Sequence, residues 1–133
     1  MKFKSEKGVV AIEMAILLPL LILFLFGSIE FGLLTYNKQI ITNASREGAR
    51  AGIVIQDTKL SANDIIGIVE DYAENHLVSF GANNTLTILV TNAGASFPAD
   101  LGVQVSYAYD FLVLANLGFG PVTIEAETVM RME

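Results

Sequence analysis

GVVAIEMAILLPLLILFLFGSIE, Gly8–Glu30, decides the architecture of this 133-residue chain. Between Val9 and Ile29 it carries a single charge, Glu13. Those 21 residues make a helix of about 31 Å, which matches a hydrocarbon core of about 30 Å. A carboxylate at mid-bilayer costs about 2.5–3.5 kcal/mol on insertion scales, so Glu13 is read as functional by default. Lys2, Lys4 and Lys7 precede the span and Glu30 follows it at once. That asymmetry predicts a cytoplasmic N-terminus, with the rest of the chain outside. A cleaved secretory signal has an apolar region of about 7–15 residues ending in a small-residue site. This run is longer, and Phe24-Leu25-Phe26-Gly27-Ser28-Ile29 offers no such site. Pro19 removes one helical hydrogen bond and predicts a kink or a loosened turn. The expected organisation is a leader over 1–8, a transmembrane helix over 9–29, a stalk helix over 30–56 and an extracytoplasmic α+β domain over 57–133.

The composition agrees. Hydrophobic residues make up 53% of the chain, and mean hydropathy is +0.54. The net charge is −6; without residues 1–8 it is −8, from five basic and thirteen acidic residues. Such acidity argues against a nucleic-acid partner. The absence of cysteine excludes a disulfide framework and a zinc–thiolate site.

Beyond the span, Phe31, Leu34, Ile41 and Ala44 lie at helical spacing and predict the stalk's buried face. Ala44, Gly48 and Gly52 recur every four residues, a face on which another backbone can approach closely. Each glycine costs about 1 kcal/mol relative to alanine, so packing must compensate. The packing partner is either this protein's own sheet or a neighbouring subunit's helix. Thr58–Ala62 reads as a break, and Ser61-Ala62-Asn63-Asp64 as a capping box. The helix it opens is expected to run to about Leu77 and to bury Ile65, Ile66, Val69, Tyr72 and Leu77. Gly81–Asn84 reads as a turn.

Three runs then alternate with period two: Thr85–Thr91, Val103–Phe111 and Val122–Met132. They predict an antiparallel sheet covered on one face. The fold class expected is therefore α+β: a long N-terminal transmembrane and stalk helix, then one helix on a three-stranded antiparallel sheet.

Few residues invite chemistry. Asp64, Glu70, Asp71 and Glu74 lack the alternating oxygen ligands of a calcium loop and read as a solvated face. His76 is the only histidine, near a helix C-terminus where partial charge is mildly favourable. No serine sits in a nucleophile-elbow pattern. No metal, cofactor or catalytic role is expected, and the chain is not read as an enzyme. Asn43-Ala44-Ser45 and Asn83-Asn84-Thr85 match the glycosylation pattern, weak evidence on its own. Glu30 reads as an interfacial charge where the helix leaves the bilayer. Arg46 and Arg50 stand one turn apart, with Glu47 three before Arg50. They are expected to dock either a partner or the protein's own sheet. The connection Leu112–Phe119, with Leu114, Leu117 and Phe119, is unusually apolar for a surface loop. It either folds over the core or touches a partner or the membrane surface, and a partner is favoured.

Basic head, Gly8, four aliphatic residues, Glu13 and a long apolar helix together resemble the processing site of the type IV pilin superfamily. The segment Glu30-Phe31-Gly32, Tyr36-Asn37 and Asn43-Ala44-Ser45-Arg46-Glu47-Gly48-Ala49-Arg50 is similar to the TadE-like group. Ile124–Arg131 is similar, more loosely, to that group's ending. The resemblance implies a pilin-like fold and cleavage by a prepilin peptidase between Gly8 and Val9. It also implies that Glu13 becomes residue five of the mature chain. There it would pair with the new amine of an adjacent subunit and set subunit register, an attraction strong only in a low dielectric. Met14 stands where major Flp pilins usually carry tyrosine, which favours a minor subunit. The implied partners are the prepilin peptidase, other pseudopilins, the major pilin and the inner-membrane assembly platform. The implied setting is the bacterial inner membrane, in the assembly of a tight-adherence (Flp, type IVb) pilus used in cell adhesion and linked to secretion. Two alternatives remain open: an uncleaved single-span protein with an extracytoplasmic binding module, and a filament-forming major pilin.

Overall fold

The computed structural model describes residues 3–54, 59–79 and 85–132, with side chains from Gly8 onward. The turn expected at 81–84, the first two leader residues and the expected stalk boundary at 55–58 lie outside the described residues. Helix α1 spans Phe3–Ile53 and runs through Pro19 without interruption. At 1.5 Å per residue it is about 77 Å long. It continues past the expected span because no glycine or proline cap follows Ile29; Gly32 is a lone glycine with open space around it.

Helix α2 spans Ala62–Glu74. Ser61 caps it: its hydroxyl accepts from Asp64 N at 3.3 Å, and the Asp64 carboxylate accepts from Ser61 N at 2.9 Å. The helix stops at Asn75 rather than Leu77. There the Asn75 side chain bonds the Asp71 carbonyl at 2.7 Å, ending the ladder locally. Ile65, Val69 and Ala73 are its buried residues, while Ile66, Tyr72 and Leu77 are half-buried.

Strands β1 (Leu86–Thr91), β2 (Asp100–Tyr109) and β3 (Val122–Arg131) form an antiparallel sheet in the order β1-β2-β3. The register pairs Ile88 with Val105 and Val105 with Ala126. Leu101, Val103, Val105, Tyr107 and Tyr109 therefore share the buried face with Ile124 and Ala126. Gln104, Ser106, Glu125 and Glu127 face outward. Strand β2 starts three residues before the expected Val103, because Gly102 pairs with Thr91 and Asp100 with Arg131. A Cβ at Gly102 would stand 2.5 Å from Thr91 Oγ1, so a side chain there would require the threonine to turn aside. Strand β2 ends at Tyr109, where its partner β3 begins at Val122. Phe111 packs against the core from outside the ladder.

The upper part of α1 lies across β2 and β3, and α2 fills the remaining gap over β1. The core forms where these three layers meet. Ile41, Ala44 and Ala49 of α1 lie against Ile65, Val69 and Ala73 of α2 and the inner face of the sheet. Phe31, expected in the buried face, is 71% exposed. The buried stripe instead runs through Glu30, Asn37, Ile41, Ala44, Ser45 and Gly48, a phase that leaves Phe31 at its side.

Candidate functional site

Helix α1 has two halves with opposite environments. From Gly8 to Ile29 its side chains are exposed, apart from the half-buried position at Gly27. This stretch is long and apolar enough to cross a membrane, which is compatible with a single-span membrane protein. Gly8 has open space around it. Val9 is 53% exposed, and Glu13 is exposed with no partner among the described residues. The expected processing and register residues thus stand together on one accessible stretch of helix.

From Glu30 onward the helix is docked on its own domain. Three buried polar side chains make the connection. Glu30 is 2% exposed, and its carboxylate accepts from the backbone N–H groups of Val113 and Leu114, the latter at 3.2 Å. It therefore closes the first turn of a short 3-10 helix, Leu114–Leu117, in the β2–β3 connection. Asn37 is fully buried. Its amide donates to the Val78 carbonyl at 2.8 Å and accepts from Val78 N at 3.0 Å, holding the segment that leaves α2. Ser45 is fully buried and donates to the Val103 carbonyl or to Thr128 Oγ1, each at 2.8 Å, at the β2–β3 seam. These three residues sit seven and eight positions apart, two helical turns each, on one stripe. A buried polar group left without its partner costs about 1–3 kcal/mol, so each site selects one arrangement of the domain on the helix.

Sequence reasoning took Glu30 for an interfacial charge and gave Asn37 and Ser45 no role. The available signal was their phase: polar residues on the same stripe as Ile41 and Ala44.

The small-residue face also finds its partner here. A Cβ on Gly48 would lie 2.4 Å from Val69 Cγ2, and one on Gly52 would lie 2.5 Å from Leu101 Cδ2 and 2.8 Å from Ile65 Cδ1. Ala44 is fully buried in the same core. Helix α2, which was not among the partners left open, and Leu101 of the protein's own sheet occupy this face.

Arg46, Glu47 and Arg50 point away from it. Arg46 is exposed, and Arg50 Nη2 bonds Glu47 Oε1 at 2.9 Å with most of the guanidinium in solvent. The hydrogen bond from Arg50 holds the Glu47 carboxyl below its usual range, and the same bond raises Arg50. An exposed pair of this kind contributes only about 0.2–0.5 kcal/mol. Among the described residues none of the three shows a hydrogen bond or ion pair to the sheet, and together they form a charged strip on the stalk.

Leu114, Leu117 and Phe119 are separate from that strip. They lie in the β2–β3 connection, where Leu117 is 56% and Phe119 58% exposed. With Val113, Leu117 forms one wall of an apolar groove of about 480 Å³. The other wall is α1 itself, from Leu18 to Leu23.

Residues 8–50 match the family model of TadE-like proteins. Over that stretch the chain is similar to TadE-like proteins. The match begins at Gly8 and ends at Arg50, so it takes in both the exposed half of α1 and the stripe of Glu30, Asn37 and Ser45. No curated protein and no solved structure matches the chain.

Among the described residues no group of three or more histidine, cysteine or acidic side chains could hold a metal ion. His76 Nδ1 lies 2.7 Å from the Tyr72 carbonyl, and its ring stacks on Tyr72 at 4.7 Å. It is thus engaged at the end of α2.

Proposed function

We propose that this chain is a pseudopilin: a minor pilin-like subunit anchored in the bacterial inner membrane, cut between Gly8 and Val9 by a prepilin peptidase, and acting in assembly of a tight-adherence pilus. One observation carries the reading. The TadE-like segment is a single helix whose exposed apolar half bears Glu13, while its other half is fixed to a folded domain. A helix of this kind can leave the bilayer for an assembly only if other apolar helices replace the lipid around it. Glu13 is then buried in low dielectric, where an amine partner on a neighbour is strongly preferred over none. Val9 freed by cleavage supplies such an amine. The other pseudopilins, the major pilin and the inner-membrane platform are the partners this role requires. The strip Arg46, Glu47 and Arg50 lies on the stalk face that the domain leaves open, and it is offered as a docking surface. The proposed role is structural and involves no catalysis.

The test is the intact mass of the protein isolated from its native membrane with the peptidase present. A chain that begins at Val9, with or without one methyl group, is the expected result. A chain that keeps residues 1–8 overturns the pseudopilin mechanism and leaves an anchored single-span module. Abundance in sheared surface filaments would assign the major-pilin role instead.

A further inference from the structure

We infer that the β2–β3 connection is a membrane foot, seated beside α1 in the outer half of the bilayer with its apolar side chains covered by lipid acyl chains. This rests on the reading of α1 as a membrane span. The groove between Val113, Leu117 and α1 has Leu18 to Leu23 as its second wall. Those residues lie seven to twelve positions before Glu30, about 10–18 Å further down the helix axis. Whatever surrounds the span at that level also surrounds the connection. No charged residue occurs from Phe111 to Ile124, and Leu112, Leu117 and Phe119 are each half or more exposed.

Much of the backbone of the turn is paired within the protein. Asn116 N bonds the Val113 carbonyl, Gly118 N the Ala115 carbonyl and Phe119 N the Leu114 carbonyl, at 3.1–3.2 Å. The N–H groups of Val113 and Leu114 are taken by Glu30, and the Asn116 side chain donates to the Leu112 carbonyl at 3.2 Å. Non-helical backbone persists at membrane depth only where its polar groups are paired inside the protein. Glu30 is in turn hidden by the segment it holds, so its charge does not face lipid.

The chain has no tryptophan and no cysteine, so single probes report without background. The full-length protein is reconstituted in phosphatidylcholine vesicles with lipids brominated along the acyl chain. Three variants carry one tryptophan each: Leu117→Trp in the connection, Phe24→Trp in the span, and Val129→Trp on the outer face of β3. The expected result is blue-shifted emission and loss of intensity to brominated lipid for Leu117→Trp and Phe24→Trp, and for neither effect in Val129→Trp. If Leu117→Trp is quenched from water by iodide while Phe24→Trp is quenched by lipid, the foot is wrong and the span stands. Protection of Leu117→Trp from both quenchers means that protein covers the connection, which also overturns the inference. If Phe24→Trp itself escapes lipid quenching, the span reading fails and the foot with it. Leu117→Cys carrying a nitroxide, read by oxygen against a water-soluble nickel chelate, repeats the measurement should the indole disturb the turn.

Discussion

Gly48→Ala should destabilise the protein, although alanine is the better helix former. In a helix interior the change is worth about 1 kcal/mol in favour of alanine. The new methyl would stand 2.4 Å from Val69 Cγ2, where carbons normally rest about 3.5–4.0 Å apart. Val69 is β-branched and held to one main rotamer in α2, so it cannot swing aside. Relief requires α1 and α2 to separate, and overpacking of that kind costs about 1–3 kcal/mol. The net effect is a loss of about 0–2 kcal/mol. Gly67 provides the contrast: it lies in α2 with nothing within 4 Å of an added Cβ, so Gly67→Ala should gain about 0.5–1 kcal/mol. Thermal melts in detergent micelles, followed by circular dichroism of the sheet and docked helices, should separate the two variants by about 0.5–3 kcal/mol, on the order of 2–12 °C. Adding Val69→Ala to Gly48→Ala should recover part of the loss, giving a coupling energy of about 1 kcal/mol. The packing argument is refuted if Gly48→Ala raises the melting temperature as far as Gly67→Ala does and shows no coupling to Val69. The small-residue face would then belong to a different neighbour.

Three further outcomes are expected. Glu30→Ala should cost about 1.5–3 kcal/mol, since hydrogen bonds to an ionised group are lost and two N–H groups are left behind; amide exchange at Val113 and Leu114 should accelerate while that of α2 does not. The hydroxyl of Tyr109 is buried without a partner among the described residues, and burial, with the Glu30 carboxylate adding to it, raises its pKa. Tyr109→Phe should therefore be neutral or stabilise by up to about 1 kcal/mol in a melt, and a loss of that size would mean that the hydroxyl has a partner. Ser61→Ala should remove about 1 kcal/mol of capping energy. The bonds from the Ser61 hydroxyl and backbone hold Asp64 below the ordinary aspartate value of 3.8. A depressed carboxyl stabilises the fold above its unfolded pKa and loses that contribution as pH falls through the folded one. The difference in melting temperature between wild type and Ser61→Ala should thus be constant near neutrality and shrink below about pH 4.

Local signals in the sequence were readable where the physics is local. The pairing of Ser61 with Asp64 spans three residues and appears in the structure as read. The alternation of Val103, Val105, Tyr107 and Tyr109 places the same side chains inward. The recurrence of Ala44, Gly48 and Gly52 identified a close-packed face, but helical periodicity names a face and not the neighbour on it. Glu30, Asn37 and Ser45 escaped notice for a related reason. Their partners lie 83, 41 and 58 positions away; Glu30 was explained by its place at the end of the span, and nothing near Asn37 or Ser45 in the chain pointed to a partner. Strand β2 was read too short at its start because the alternation was followed only from Val103, and the pairing of Gly102 with Thr91 that extends the ladder is not local. The apolar connection was legible as an anomaly, and the neighbour it meets on α1 was not.

Helix α1 runs unbroken from Glu13 to Glu30, so it fixes the compass bearing of the domain as well as its height. Seventeen residues at 3.6 per turn rotate the helix through about four and three-quarter turns. Glu13 therefore looks out roughly a quarter-turn away from the side on which the sheet is mounted. A neighbour that engages Glu13 can approach without meeting the domain of the same chain. Between these two points the one missing rung in the helical ladder is at Pro19, whose nitrogen cannot bond the Ala15 carbonyl. A few degrees of bend there would swing the sheet sideways by an arc that grows with the length of helix above it. Any bend at the proline would thus set where the outer domain is aimed.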